Sequence, residues 1–456
     1  MTEVVKKKGN SATLMTEGNI PKHIVAFAMP VFLGNLFQQL YNTVDSLIVG
    51  NFVGDEALAA VSSSGTMIFL IVGLIFGLFS GAGVVISQFY GAEDKNNVQN
   101  AIHTTVALGI ICGLLVMFVG VVFSPMILRL IGTPENVLPN SLLYFRIYFC
   151  GSLFNVLYNA GSGIFQAVGD SKHPLYYLII SSITNVVLDL IFVVNFGLGI
   201  AGAAAATVIS QFISAFLTMN KLMHSDEDYR VYISRIKIHK NLVGRILRMG
   251  IPSGIQNSVI GLANIVVQAN INSFGDIAMA SCGSYAKLEG FAFLPITSFS
   301  MALTTFIGQN IGAHKIDRAK KGAKFGIISC VISAELIGLV MFFGMPVMIR
   351  WFSQNPEVIA MGIRQARTES LFFCLLSFSH GAAGIMRGAG KATVPMVVML
   401  AFWCVFRVSF LTIVLKLIND IIIIYMVYPI TWGMSTLTFA AYLLSGRWLK
   451  GHGKIS

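Results

Sequence analysis

The stretch "LYYLIISSITNVVLDLIFVVNFGLG", residues 175–199, is apolar over the length of a bilayer crossing and yet carries Asn185 and Asp189. A helix needs about 20 apolar residues to cross a ~30 Å hydrocarbon core, where backbone polar groups must bond within their own segment. The stretch therefore predicts a transmembrane helix. Inserting an ionisable group at that depth costs at least ~2.5 kcal/mol, so Asp189 needs a partner or a task.

Similar runs recur along the whole chain. Twelve are counted, near 24–50, 58–89, 100–124, 138–165, 174–196, 200–223, 243–271, 278–307, 322–345, 358–386, 394–418 and 420–446. With 55% hydrophobic and 11% charged residues and a mean hydropathy of +0.76, the composition is not that of a soluble domain. The period-two alternation of an outer-membrane barrel is missing, and Gly and Ala are spread through the runs as small contacts for close helix packing. The expected fold class is an all-α integral membrane protein of twelve transmembrane helices. No cleavable signal is evident, because the run after "MTEVVKKKGN" is too long for a signal h-region.

The net charge of +11 is explained by membrane topology and not by nucleic acid. Loops on the side of the N-terminus hold Lys6, Lys7, Lys8, Lys22, Lys95, Lys172, the seven Lys and Arg residues from Lys221 to Arg248, the five from Lys315 to Lys324, Arg387, Lys391, Arg447, Lys450 and Lys454. The opposite side holds Arg129, Arg350 and Lys416. Both termini are predicted to be cytoplasmic. The six cysteines all fall within predicted spans without a CxxC or Cys/His spacing, so buried free thiols are expected and no structural metal.

The chain also repeats itself. "SQFYGA" (87–92) matches "GQNIGA" (308–313), "SPMILRL" (124–130) matches "MPVMIRW" (345–351), "GIFQAVGDSKHP" (163–174) matches "GIMRGAGKATVP" (384–395), and "FVGDEALAA" (52–60) matches "SFGDIAMAS" (273–281). All four pairs share an offset of 221 residues. Six spans per repeat is an even number, so the two copies run parallel, related by an axis along the membrane normal. The expected organisation is a cytoplasmic segment 1–22, a lobe 23–223, a basic linker 224–242 ("HSDEDYRVYISRIKIHK" over 224–240), a second lobe 243–447 and a tail 448–456. Such duplication suits an alternating-access carrier, not a one-site membrane enzyme.

Within the first repeat the polar residues form a pattern. Asn185 and Asp189 are four apart and share a helix face. Gln38, Tyr41, Asn42 and Asp45 follow i, i+3, i+4, i+7 in "QQLYNTVD", a polar stripe that cannot face lipid. Asn155 and Asn159 repeat the spacing in "FNVLYNAG". Counted from the nearest outer turns at 1.5 Å per residue, Asp45, Asp189 and Thr207 sit at one level, roughly 8–9 Å deep. Two close carboxylates in a low dielectric cannot both stay ionised cheaply: either the pair shares a proton, or it binds a hard cation such as Na⁺ with amide and hydroxyl oxygens. A purely structural role, in which Asn185 and Asp189 join helices by hydrogen bonds, is the alternative. The positions 221 residues on are Val266, Phe406, Phe410 and Tyr428, so coupling is expected in the first lobe alone. Further buried charges, Lys287, Glu289, Glu335, Arg364, Arg367, Glu369 and Arg407, suit internal ion pairs or a substrate or second-ion role. Pro30 and Pro252 permit kinks, and Pro30 is either a plain kink or a hinge that responds to the ion.

Over residues 20–446 the chain resembles the multidrug and toxic compound extrusion (MATE) family, in its DinF-like prokaryotic branch, through the twelve spans, the "GD.ALAA" turn and "Q..GA" after the second span. The resemblance implies a monomeric antiporter of the inner membrane with two parallel-repeat lobes. It would export cationic or amphipathic compounds in exchange for H⁺ or Na⁺, with no other cofactor. It further implies a cation or proton site at Asp45, Asn185, Asp189 and Thr207, a substrate cavity that includes Gln38, Tyr41, Asn155 and Asn159, and a bend at Pro30. The stripe adds Asn42 to that cavity. The NorM-like pattern of acids in the seventh span is missing from "IPSGIQNSVIGLANIVV". A lipid-linked precursor flippase is the rival within the superfamily; a membrane-embedded transferase or a channel lacks the His/Asp cluster or re-entrant loop it needs.

Overall fold

The computed structural model describes residues 12–53, 55–130, 132–135 and 137–450; within these, the side chains at 46, 47, 50, 51, 55–67 and 69 are outside the description. The "GD.ALAA" side chains and Lys6, Lys7, Lys8 and Lys454 therefore lie outside the described residues. Every regular element among the described residues is helical. The first repeat contributes α1 (Ile20–Phe52), α2 (Asp55–Gly91), α3 (Lys95–Val122), α4 (Ser124–Leu130), α5 (Leu138–Cys150), α6 (Ser152–Ala167), α7 (Lys172–Asp189) and α8 (Gly199–Met223). The second contributes α9 (Lys240–Asn272), α10 (Asp276–Gly312), α11 (Ile316–Met348), α12 (Pro356–Glu369), α13 (Phe373–Gly388), α14 (Thr393–Met399), α15 (Arg407–Leu417) and α16 (Ile422–Leu444).

Ten segments are long and apolar enough to cross a membrane by length and composition. The other two expected spans differ for local reasons. The fourth is broken at Gly151 into α5 and α6, of 13 and 16 residues, and a Cβ there would meet Val208 of α8 at 2.7 Å. The seventh is a 33-residue helix whose apolar part is interrupted by Ser253, Gln256, Asn257, Ser258 and Asn264. On α11, Ile328, Ile332, Leu336, Val340, Phe343 and Val347 are exposed at steps of three or four, one apolar stripe that only lipid can cover.

The repeat is visible in the backbone. Among the described residues, the non-glycine residues with positive φ are Glu93 and His314, both at 56° and 221 positions apart. Each follows its "GA" turn, and the closing bonds match: Asp94 N–H to Phe89 O at 3.1 Å and Lys315 N–H to Asn310 O at 2.8 Å. Gly169 (φ 83°) and Gly390 (φ 72°) form a second such pair, closed by Asp170 N–H to Phe165 O and Lys391 N–H to Met386 O, both 2.8 Å. Duplicated sequence has become duplicated turn geometry.

The described residues group into two compact units: one of 12–18, 33–68 and 85–246, the other of 19–32, 69–84 and 247–450, with α1 and α2 contributing to both. In the first unit Ile48, Val49, Tyr144, Val193, Ile200, Ala203 and Ala204 form an apolar cluster beside the polar site. Gly169 here faces Thr13, whose carbonyl oxygen would sit 2.3 Å from an added Cβ. Gly169→Ala is therefore expected to destabilise the unit by roughly 2 kcal/mol, from left-handed strain and the clash, read as a lower melting temperature in detergent. An unchanged melting temperature would contradict that contact.

In the second unit Tyr285, Met341, Phe373, Trp403, Trp432 and Phe439 belong to one buried core. All six cysteines are free, as expected, but only Cys282, Cys330 and Cys404 are buried; Cys150 is exposed at the end of α5, and Cys112 and Cys374 are half-buried.

Candidate functional site

In the first unit, three helices bring four of the expected residues together. Asp45 lies two turns from the end of α1, Asn185 and Asp189 occupy the last turns of α7, and Thr207 sits in the third turn of α8. Asn185, Asp189 and Thr207 are 1%, 0% and 9% exposed, and Asp45 is half-buried. The Asp45 and Asp189 carboxyl groups lie close enough to interact as a hydrogen-bonding pair. Such a contact between two acids needs one proton to hold it together. Burial and mutual repulsion both act against a doubly ionised pair.

Asn185 links the carboxyls to α8. In the amide orientation that satisfies both neighbours, its nitrogen donates to Asp189 Oδ2 at 3.3 Å and its oxygen accepts from Thr207 N–H at 3.3 Å. The Thr207 hydroxyl donates to Ala203 O at 3.0 Å, which keeps its lone pairs available. Asp45 Oδ1 and Asp189 Oδ1 are each buried without a hydrogen-bond partner among the described residues. The donor set is thus two carboxyls and neutral oxygens, suited to a proton or a hard monovalent cation and ill suited to a soft transition metal. Asn185→Ala would strip Asp189 Oδ2 of its donor, at ~1–3 kcal/mol for a buried acceptor, so the ion concentration for half-maximal transport should shift about tenfold or more. A half-maximal concentration within twofold of wild type in proteoliposomes would count against the link.

The backbone changes pitch directly after Asp189. Immediately after it the helix widens into a π-helical segment, Leu190–Asn195, before the turn into α8. Such segments inside α-helices are frequent at functional sites. Tyr41 of α1 and Tyr144 of α5 both fall within electrostatic range of Asp45 and Asp189. Tyr41 belongs to the α1 stripe expected to line the substrate cavity. Tyr144 is not among the expected site residues, although its i, i+4 relation to Tyr148 in "YFRIYF" is a signal in the sequence.

The remaining expected residues are not drawn into this cluster. Asn159 Nδ2 donates to Asn155 O at 2.8 Å and to Asn155 Oδ1 at 3.1 Å, a pair within α6. Gln38 and Asn42 are exposed on α1. Pro30 lies inside α1, which stays helical from Ile20 to Phe52.

At the matching positions the second unit has Val266, Phe406, Phe410 and Tyr428 in place of the polar set. Phe406 and Phe410 stack with centroids 5.6 Å apart, and the Arg407 guanidinium lies 4.4 Å from the Tyr428 ring. Arg407 Nη2 donates to Thr431 Oγ1 at 2.9 Å, while Glu369 accepts from Gln365 at 3.0 Å. Among the described residues no ion pair joins Arg407 to Glu289 or Glu369, although both acids lie within its electrostatic range. Lys287 stacks 5.6 Å from the Phe352 ring, and the Glu335 carboxylate accepts from Cys374 N–H at 3.0 Å. Of the charges singled out in the sequence, Arg364 forms an ion pair, with Asp420 at 3.3 Å. Asp420 lies in the turn before α16, where the Ile422 N–H and then Arg364 hold its carboxyl below the usual range.

A duplicated helical membrane protein with a carboxyl pair enclosed in one repeat has the build of a membrane transporter. The comparisons make the class specific: the MatE family model matches residues 30–191 and again 252–413, two copies whose starts are 222 positions apart. The chain belongs to the MatE family. It is 31% identical over 430 residues to the probable multidrug resistance protein YoeA of Bacillus subtilis, covering 91% of this chain and 92% of that one. It is 32% identical over 392 residues to YpnP of the same organism, also a probable multidrug resistance protein, covering 85% and 87%. A MOP superfamily transporter from Pyrococcus furiosus shares the fold with a TM-score of 0.90 at 21% identity, over 98% of this chain and 100% of that chain.

Proposed function

We propose that the chain is a secondary active antiporter that exports cationic or amphipathic compounds in exchange for H⁺ or Na⁺. The observation that carries the reading is the Asp45–Asp189 carboxyl contact, braced by Asn185 and Thr207, in a repeat whose duplicate holds phenylalanines at the positions of Asn185 and Asp189. An ion that neutralises the pair changes the electrostatics among α1, α7 and α8, and a site that binds ion and substrate in turn gives exchange. The multidrug resistance names of the relatives support the substrate class.

In this reading the lobes are 23–223 and 243–447, joined by the linker 224–242 on the cytoplasmic face. Both termini are cytoplasmic in the inner membrane, the working unit is a monomer, and no enzymatic step is involved. Gln38, Tyr41, Asn42, Asn155 and Asn159 line the path of the substrate in the first lobe, and Pro30 serves as the hinge of α1. The test imposes a pH gradient and a Na⁺ gradient separately on proteoliposomes loaded with a fluorescent organic cation. Movement driven by one gradient alone names the coupling ion. Movement independent of both would contradict antiport.

A further inference from the structure

We propose that Arg230, Tyr232 and Arg235 in the turn between α8 and α9 form a clamp for the phosphodiester headgroup of an anionic phospholipid, with Ile233 reaching into the acyl layer. No acid occurs between Asp228 and Asp276, so Arg230, Arg235, Lys237, Lys240, Arg245 and Arg248 form an unbroken basic run. The Arg230 and Arg235 guanidinium carbons lie 5.1 and 4.9 Å from the centroid of the one Tyr232 ring. Among the described residues neither arginine makes an ion pair, and Arg230 Nε is buried without a hydrogen-bond partner. Two like charges held on one ring without a carboxylate lack their counter-charge. Guanidinium donors match phosphate oxygens in pairs.

The turn is fixed against the start of α3, a helix long and apolar enough to cross a membrane. Gln99 Nε2 donates to the carbonyls of Asp228 and Arg230, His103 Nε2 accepts from Tyr232 N–H at 2.9 Å, and Thr104 Oγ1 accepts from His239 N–H at 3.3 Å. These anchors stand four to nine residues into α3, roughly 6–14 Å along its axis, so the turn packs at one end of that candidate span. Asp228, the acid closest to Arg230 in sequence, pairs with Lys95 at 3.0 Å. Ile233 is 72% exposed and Ile238 45%, an apolar edge beside the basic groups. Basic residues with an adjoining apolar edge are the recognition pattern of an anionic lipid surface.

The test is native mass spectrometry of the full chain taken from bilayers of equal phosphatidylglycerol and phosphatidylcholine, counting each lipid retained. The wild type should retain phosphatidylglycerol at least about fivefold over phosphatidylcholine, the factor one juxtamembrane charge supplies. R230Q/R235Q should bring the ratio near one, whereas K320Q/K321Q/K324Q, which removes three charges from the start of α11, should keep it. Should R230Q/R235Q fail to insert, Tyr232→Ala keeps every charge and should still lower the ratio several-fold. Retention of the wild-type ratio by R230Q/R235Q or Tyr232→Ala, or an equal loss in the lysine triple variant, would overturn the clamp.

Discussion

Asp189→Asn is expected to reduce ion-driven efflux to the level of protein-free vesicles, and Asp45→Asn to do the same. Asparagine keeps the volume and a hydrogen bond to its neighbour but cannot take up and release a charge. A merely structural pair would show the opposite balance. Placing carboxylates at this depth costs at least ~2.5 kcal/mol each by insertion scales, so neutralising one should leave the melting temperature unchanged or raised. Lost transport with preserved stability is the signature of an ion site. Efflux within twofold of wild type from either variant would sink the assignment, and lost transport with collapsed folding would favour the structural role.

The largest stability effect is expected at Gly77. Gly77 and Gly81 of α2 face Gly254 and Gly250 of α9 within the second unit, and a Cβ added at Gly77 would lie 2.1 Å from the Gly254 nitrogen. The Cβ of an alanine at Gly81 would come 2.2 Å from the Gly250 nitrogen. Here backbone packs on backbone, and Ser258 Oγ adds a bond to Leu70 O at 3.1 Å. Small residues four apart are the usual means of such approach in lipid. No rotamer change relieves a clash between main chains. Gly77→Val should therefore cost ~3 kcal/mol or more, seen as poor folded yield and a lowered melting temperature, while Gly244→Ala, facing open space, should be near neutral. Equal behaviour of the two variants would contradict the crossing.

Much of this architecture is readable from the chain. The 221-residue offset appears in four sequence pairs and returns as matched turns at Glu93 and His314 and at Gly169 and Gly390, because turns requiring unusual backbone angles constrain their residues strongly. Asp45, Asn185, Asp189 and Thr207 could be grouped from helical facing and depth, because a carboxylate in a hydrocarbon run is costly enough to stand out. Contacts between helices distant in sequence were less legible. The pairing of Gly77 with Gly254 depends on which faces meet, and glycines are too frequent in membrane helices to mark one crossing. The break at Gly151 depends on Val208 of α8. The π-helical turn after Asp189 has no proline or glycine to announce it, since Leu190–Asn195 reads as unbroken hydrocarbon up to its last residue. The exposure of Cys150, likewise, follows from its place at that helix break and not from its neighbours in sequence.

The claim that the Asp45–Asp189 pair is the coupling site is tested most directly by measuring ion release from the purified protein. A cationic substrate is added to weakly buffered wild-type protein, with a pH indicator in one arm and radiolabelled Na⁺ in the other. Release of H⁺ or Na⁺ in proportion to bound substrate is expected, with loss of that release in both Asp45→Asn and Asp189→Asn. Substrate binding with no ion released by the wild type, or with full release retained by both variants, would contradict it.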